Sequence, residues 1–309
     1  MTQSTDKIAL DLTLGNDMPV NRIGYGAMHL TGPGMWGEPT DVDGAVRVLR
    51  RAVELGVNFI DTADSYGPGD NERIIRKALH PYPNDLVICT KGGLLRSGPK
   101  DWSGEGPPYI VPLGRPAYLR QQVEMSLRNL GTDCISLYQL HSIDPEVPLE
   151  DQLGELARLQ AHGKIRHIGL SGQPGVTIDE LTRSRAITNI VAIENLYNIA
   201  DRADEATLRH VENEGLGFIP WFPLGHGGLV GPDSPLAKIG REFGASSSQL
   251  ALAWLLHRSP ATVLIPGTTS IGHLEENVRA ADIRLSASDM EAITKAVDAA
   301  RISVWRPER

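Results

Sequence analysis

Eight short segments rich in β-branched and aromatic residues recur along this 309-residue chain: "RIGYGAM" from 22, "VNFID" from 57, "DLVICTK" from 85, "CISLYQLH" from 134, "IRHIGLS" from 165, "NIVAIE" from 189, "LGFIPWF" from 216 and "TVLIPG" from 262. Helical patterns lie between them. Strands that alternate with helices pair in parallel, because a parallel neighbour is reached only through a crossover. Strands this apolar are buried on both faces. Eight such units point to an α/β chain closed as a (β/α)8 TIM barrel, read here as a single domain over residues 1–309. A doubly wound sheet is the competitor. No strand runs into G-x-G-x-x-G, and no G-x-x-x-x-G-K-[ST] occurs, so neither glycine-rich phosphate loop is available to it.

Several helices announce their ends. In "RPAYLRQQVEMSLRNLG", Pro116 suits the first turn, Leu119, Val123, Leu127 and Leu130 share a face, and Gly131 suits the left-handed C-terminal position. Ser246 followed by Gln249 reads as a capping box, and Asp41 or Asp43 can cap a first helix that Gly56 closes. Connections at roughly 92–114 and 222–233 carry much Gly and Pro and read as loops over one mouth of the barrel.

Composition excludes some classes. No apolar run approaches the roughly 20 residues a membrane helix needs, and the N-terminus lacks a basic segment followed by an apolar one, so a cytoplasmic location is expected. The net charge of −8 is spread along the chain without a basic stripe, so nucleic acid is not an expected partner. Cys89 and Cys134 lack C-x-x-C spacing and read as small core residues in a reducing compartment. The histidines show no H-E-x-x-H pattern, so no metal is expected. "GLSGQ" from 169 lacks the second glycine of a nucleophile elbow.

In a barrel of this kind, chemistry collects at the C-terminal ends of the strands. Three consecutive strands end in an ionisable residue: Asp61 closes "VNFID", Lys91 closes "DLVICTK" and His141 closes "CISLYQLH", while Tyr66 lies on the loop just after Asp61. Taken singly, such residues are more often caps, packing groups or structural histidines. An acid, a base and an imidazole on one rim beside a phenol make a candidate catalytic cluster.

At these four residues the sequence resembles the aldo-keto reductases, (β/α)8 enzymes that use a nicotinamide cofactor without a Rossmann domain. The resemblance covers nearly the whole chain, through "GYGAM", "DTADSYG", "ICTK", "LYQLH", "HIGLS", "IENLYN", "PWFPLG" and "IPGTTSIGHLEEN". Within the family it is most similar to the bacterial branch that includes pyridoxal reductases. The resemblance implies an NADPH-dependent reduction of aldehydes or ketones, with Tyr66 as proton donor and Lys91 as the cation that lowers the phenol's pKa. It makes Asp61 the partner that keeps Lys91 charged, and His141 a hydrogen-bond donor to the substrate oxygen.

The same resemblance implies a cofactor site. Trp221 would stack on the nicotinamide, Ser171 and Glu194 would hold its carboxamide, and Leu224 and Gly225 would begin a loop over the pyrophosphate. Thr268, Ser270 and His273 would lie near the 2′-phosphate, with Glu276 and Asn277 near the adenine. Gly26, Ala27, Met28 and Asp61 at the strand ends, Phe222, Pro223 and Gly227 on the loop, and Pro266, Gly267 and Thr269 after the last strand complete it. His29, Met35, Trp36, Trp102 and Trp305 fall on segments expected to line a substrate pocket, which suits an aromatic or planar aldehyde. This chain departs from the family pattern at four of these places. Gly172 stands where asparagine is usual, Glu194 where glutamine is usual, and Gly267 and His273 where lysine and arginine hold the phosphate. A carboxylate cannot donate to a carboxamide oxygen unless protonated.

Two other readings stay open at this point. One is a cofactor-binding regulatory subunit with little turnover; the other is an aldolase that uses Lys91 as a Schiff-base nucleophile, which the adjacent Asp61 disfavours. The expected partner is a small carbonyl compound, with the oligomeric state left open.

Overall fold

The computed structural model describes residues 10–100, 109–173, 175–231 and 234–302. Its frame is a sheet of seven strands, all parallel: β3 (Tyr25–Gly26), β4 (Phe59–Asp61), β5 (Val87–Gly92), β8 (Ile135–Leu140), β9 (Ile165–Ser171), β10 (Ile190–Leu196) and β11 (Gly217–Trp221). The eighth expected segment closes it. It makes single parallel bridges on both sides, Thr262 to Phe218 and Leu264 to Ile23. Leu264 N donates to Arg22 O at 2.8 Å and Gly24 N to Leu264 O at 2.8 Å, while Val263 N donates to Phe218 O at 2.9 Å. The sheet thus meets itself and the fold is a (β/α)8 barrel.

The closure needs close backbone approach. A methyl on Gly26 would lie 2.5 Å from the carbonyl oxygen of Ile265, so only glycine fits there. Arg22 then staples the last strand from outside the backbone ladder. Buried to 2% exposure, its guanidinium donates to Thr262 O at 3.0 Å, Leu256 O at 2.8 Å, Ser259 O at 2.5 Å and Thr262 Oγ1 at 3.0 Å. Burial pulls its pKa down to about 10, so it stays charged at neutral pH.

An antiparallel hairpin that the strand pattern did not reveal forms the barrel floor: β1 (Asp11–Leu14) and β2 (Met18–Asn21), joined through Gly15 and Asn16 at positive φ. Leu14, Met18 and Val20 are buried against the barrel interior of Phe59, Cys89, Leu137, Ala192, Ile219 and Val263. With that end plugged, the opposite mouth is the open one. The connection read as a loop from 92 to 114 contains a second antiparallel pair, β6 (Leu94–Arg96) with β7 (Ile110–Pro112). The other holds a short 3-10 turn over Gly225–Gly227.

Helices ring the sheet. α1 (Val42–Glu54) is capped by Asp41, whose Oδ1 accepts from Gly44 N at 2.7 Å, which decides between the two aspartates. α2 (Asp70–Leu79) leads to β5, and α3 (Pro116–Leu130) buries the expected Leu119, Val123, Leu127 and Leu130 and ends on Gly131 at φ 69°. α4 (Leu149–Ala161), α5 (Ile178–Ile187) and α6 (Glu205–Asn213) follow in turn, and α7 (Pro235–Glu242) precedes α8 (Ser247–Arg258). The capping box at Ser246 and Gln249 is formed. α8 is buried along Leu250–Leu256 because α9 (Ile271–Arg279) and α10 (Ala287–Ala300) cover its outer side; Trp254 Nε1 donates to Thr294 Oγ1 of α10 at 2.9 Å. Cys89 is the core residue expected of it. Cys134 is exposed, because it precedes β8 on the lower rim where the strand has not yet entered the sheet.

Arg22→Met takes the side-chain donor from the carbonyls of Leu256 and Thr262 and one of the donors from that of Ser259, which still accepts from Thr262 Oγ1. Loss of buried partners at about 1–3 kcal/mol each should lower unfolding stability by roughly 3–5 kcal/mol in urea titrations. A change under about 1 kcal/mol would mean that Arg22 does not hold the closing strand.

Candidate active site

The three strand-end residues meet inside the open mouth. Asp61 is the last residue of β4 and pairs in register with Cys89; Lys91 is two residues further up β5. His141 follows β8, its N donating to Gly92 O at 2.9 Å. Lys91 is fully buried. Its Nζ lies 2.6 Å from Asp61 Oδ1, donates to Thr62 O at 3.0 Å, and stands 3.4 Å from Glu194 Oε2 and 5.4 Å from the Tyr66 ring centre. Tyr66 packs edge-on to His141, the ring centres 6.0 Å apart.

The loop carrying Tyr66 is fixed by a residue outside the sequence-based set. Thr62 Oγ1 bonds Asn71 Oδ1 at 2.6 Å, and Asn71 Nδ2 donates to Ala27 O at 2.8 Å and Leu30 O at 3.0 Å. One buried amide therefore ties the first turn of α2 to the loops after β3 and β4. Ala27 belongs to this buried frame and does not line a cavity.

The charge balance follows from burial. Burial alone would pull the Lys91 ammonium down, but Asp61 and then Glu194 outweigh it and hold the group well above its ordinary value. For Asp61, burial pushes up while Lys91 pulls down. Burial also pushes the Tyr66 phenol up, with Lys91 opposing, so the expected net lowering is not found and the phenol is held in its protonated form. His141 is pushed well below its ordinary value by burial, then by Lys91 and Arg96, so the imidazole is neutral; its Nδ1 lies 3.4 Å from Ser65 Oγ. Burial and then the Asp61 charge push Glu194 up to about 8. Its Oε2 is buried and has only the long 3.4 Å contact with Lys91 Nζ.

Two cavities converge on these groups. The larger, about 530 Å³, runs from Asp61, Tyr66 and Glu194 past Trp221 and out to Glu276 and Asn277. Gly26, Met28, Phe222, Pro223, Leu224, Gly227, Pro266, Gly267, Thr268 and His273 line it too. Val230, Gly231, Ser248 and Ile265 also line it, without having stood out in the sequence. The smaller, about 330 Å³, holds Tyr66, His141, His29 and Met35. Ser171 and Thr269 line this second cavity rather than the first. Met28, His29, Tyr66, Glu194, Trp221 and Phe222 border both, so the cavities meet at the phenol.

Other expected residues sit elsewhere. Gly225 belongs to the turn that its N closes onto Phe222 O at 2.9 Å, and Ser270 caps α9, its Oγ accepting from His273 N at 3.4 Å. Trp36 is 40% exposed and packs under the Arg96 guanidinium at 5.6 Å, away from the cavity wall. Trp102 and Trp305 lie outside the described residues. Arg96, Lys100 and Tyr109 line the second cavity unanticipated. They sit on or beside the β6–β7 pair, whose short apolar runs "LL" and "YIV" were the available sign of strands there.

An extended cavity fits a dinucleotide on two observations. Thr268 and His273 lie at the N-terminal end of α9, where free backbone amides favour an anion, and Glu276 and Asn277 line the cavity farther along the helix. The weakly partnered Glu194 Oε2 lies at the inner end. Among the described residues there is no cluster of three or more His, Cys, Asp or Glu that could hold a metal, and no helix long and apolar enough to cross a membrane.

Residues 22–298 match the profile of the aldo/keto reductase family. The chain is 47% identical over 271 residues to an uncharacterised oxidoreductase of Schizosaccharomyces pombe, covering 88% of this chain and 85% of the relative. It is 44% identical over 280 residues to pyridoxine 4-dehydrogenase of Escherichia coli, covering 89% and 93%. Among solved structures it is similar to a glycerol dehydrogenase from Gluconobacter oxydans, with TM-score 0.83, 25% identity and 99% of both chains covered. A holo aldo-keto reductase from Bacillus halodurans is similar with TM-score 0.77 and 28% identity, covering 96% of this chain and 97% of that one.

Glu194 makes stability depend on pH. Its folded pKa of about 8 lies above the ordinary 4.5, so the folded state binds a proton the unfolded chain releases. The contribution is present below the ordinary value and lost as pH rises through about 8. Urea unfolding of the parent should therefore weaken across that window relative to Glu194→Gln. Parallel stability curves for the two proteins would show that Glu194 is ionised throughout.

Proposed function

The chain belongs to the aldo/keto reductase family and is an oxidoreductase, and we propose that it reduces aldehydes or ketones with NADPH, using Tyr66 as the proton donor. The observation that carries this reading is the meeting of an extended cavity and a compact one at a protonated phenol backed by a buried ammonium. Bound NADPH supplies the hydride that reduces the carbonyl carbon. The chain supplies the rest.

Tyr66 gives its proton to the carbonyl oxygen as negative charge develops there. An alkoxide is a stronger base than a phenolate, so transfer runs downhill even from a phenol that burial has pushed up. The buried Lys91 ammonium, 5.4 Å from the Tyr66 ring centre, then stabilises the phenolate as a fixed positive charge. Asp61 keeps that ammonium charged and aimed. His141, held neutral, has one N–H to direct at the same oxygen. Trp221 and Phe222 wall the junction edge to face, with ring centres 4.9 Å apart, and Trp221 Nε1 is anchored to Gly172 O at 3.2 Å. The aldolase alternative needs a neutral, reachable amine, and Lys91 is fully buried and held charged.

We assign the first cavity to the cofactor, with the phosphate near Thr268 and His273, and the second to the substrate. A space of about 330 Å³ lined by Tyr109, Met35 and Trp221 suits a planar aldehyde. The E. coli relative's pyridoxine activity makes pyridoxal the first compound to try. Two free cysteines suit work in a reducing cytoplasm.

Tyr66→Phe should lower turnover by roughly 10²–10⁴-fold while NADPH affinity, read by fluorescence titration, stays nearly constant. A variant within a few-fold of the parent would remove Tyr66 from the proton-donor role. His273→Arg adds a permanent bidentate donor, so the NADPH-to-NADH ratio of kcat/KM should rise roughly tenfold, equivalent to about 1.4 kcal/mol. An unchanged ratio would place the phosphate elsewhere.

A further inference from the structure

Glu194 lies beside the reacting groups, yet the proton and hydride transfers as proposed leave it without a task. It sits on β10 in register with Ser171 of β9 and Ile219 of β11, and it borders both cavities. Asp61 faces it from β4, Cys89 and Lys91 from β5, Gln139 from β8, and Tyr66 from the loop above. Among these groups the only cation is Lys91, and Asp61 has the closer hold on it, at 2.6 Å against 3.4 Å. Two carboxylates and one ammonium, all buried, leave a net negative charge inside the barrel, a state that burial opposes strongly. One proton removes it. That proton belongs on Glu194, whose Oε2 stands off from Lys91 Nζ at 3.4 Å, rather than on Asp61, which accepts from it at 2.6 Å.

We propose that Glu194 acts as a neutral carboxylic acid to position the nicotinamide carboxamide, one oxygen donating and the other accepting, so that a single proton on this side chain gates cofactor binding. The inference rests on the reductase reading above. A primary carboxamide offers an acceptor oxygen and an NH2 donor, and a protonated carboxyl group offers the complementary pair. Once ionised, Glu194 has only acceptors to present. The carboxamide oxygen then faces negative charge, and Tyr66 faces a second anion that resists formation of its phenolate. Glu194 is here a positioning residue, acting on the cofactor's orientation rather than on the transferred proton.

The titration that follows from its burial, near pH 8, sets the test. Dissociation constants for NADPH and NADH are measured by quenching of intrinsic fluorescence from pH 6 to pH 9.5. Both should be flat at the acid end and weaken above about pH 8 by up to roughly tenfold per pH unit, the slope of a single proton. The two cofactors should weaken in parallel, because the effect lies at the nicotinamide they share. Glu194→Gln keeps a donor and an acceptor at every pH and should bind at the parent's acid-limb affinity without the alkaline loss. Glu194→Ala should bind more weakly with no such dependence. Infrared spectra of the cofactor-free parent should show a carboxylic acid carbonyl band that fades over the same range and is missing from Glu194→Gln. A parent whose affinities are flat with pH, or a Glu194→Gln variant that keeps the alkaline loss, overturns the inference alone. Failure of both cofactors to bind at any pH overturns the reductase reading and this inference with it.

Discussion

The buried contact between Lys91 and Asp61 is the constraint that shapes everything around it. An ammonium taken wholly out of water costs several kcal/mol unless its partners are already in place. Here the partners are supplied by neighbouring strands: Asp61 by β4, the Thr62 carbonyl just beyond it, and Glu194 from across the barrel on β10. Such an arrangement exists only if the sheet is closed, since β4 and β10 are not sequential neighbours in it. The buried charge and the closed barrel therefore stand or fall together.

Closure itself depends on a weak last strand. The segment Thr262–Leu264 makes only single bridges to its neighbours, and the Arg22 guanidinium and the glycine at position 26 compensate by letting the chain ends of the sheet approach. The N-terminal hairpin seals the opposite end with Leu14, Met18 and Val20. Water and ligands consequently reach the interior from one side, where Trp221, Phe222 and the β6–β7 pair shape the approach. The same division of labour is seen at the level of single residues. Those at the bottom pack, and those at the top carry charge.

Much of this was legible in the sequence. Eight apolar segments with helices between them led to the barrel, and a strand's end is where period and polarity change together, so Asp61, Lys91 and His141 stood out. Tyr66 was found because a short loop cannot carry it far from Asp61. The hairpin β1–β2 was missed, since "DLTL" and "MPVN" are short and polar on one side and resemble any exposed edge. Cys134 looked apolar from its neighbours, yet it falls one residue before the strand enters the sheet. Arg96 and Asn71 act through backbone carbonyls distant in sequence, a kind of contact that leaves no local pattern. The direction of the Tyr66 shift was also hidden. A neighbouring cation is visible in a motif, whereas the depth of burial that outweighs it is a property of the assembled barrel.

The central claim is that a protonated phenol and a buried ammonium together reduce a carbonyl inside this barrel. Single-turnover oxidation of NADPH by enzyme in excess, with pyridoxal or nitrobenzaldehyde added, tests it most directly when run in water and in heavy water. Nicotinamide absorbance should fall in proportion to the aldehyde supplied, more slowly in heavy water, and hardly at all in Lys91→Met. NADPH that binds tightly yet persists unoxidised in the presence of every aldehyde would contradict it.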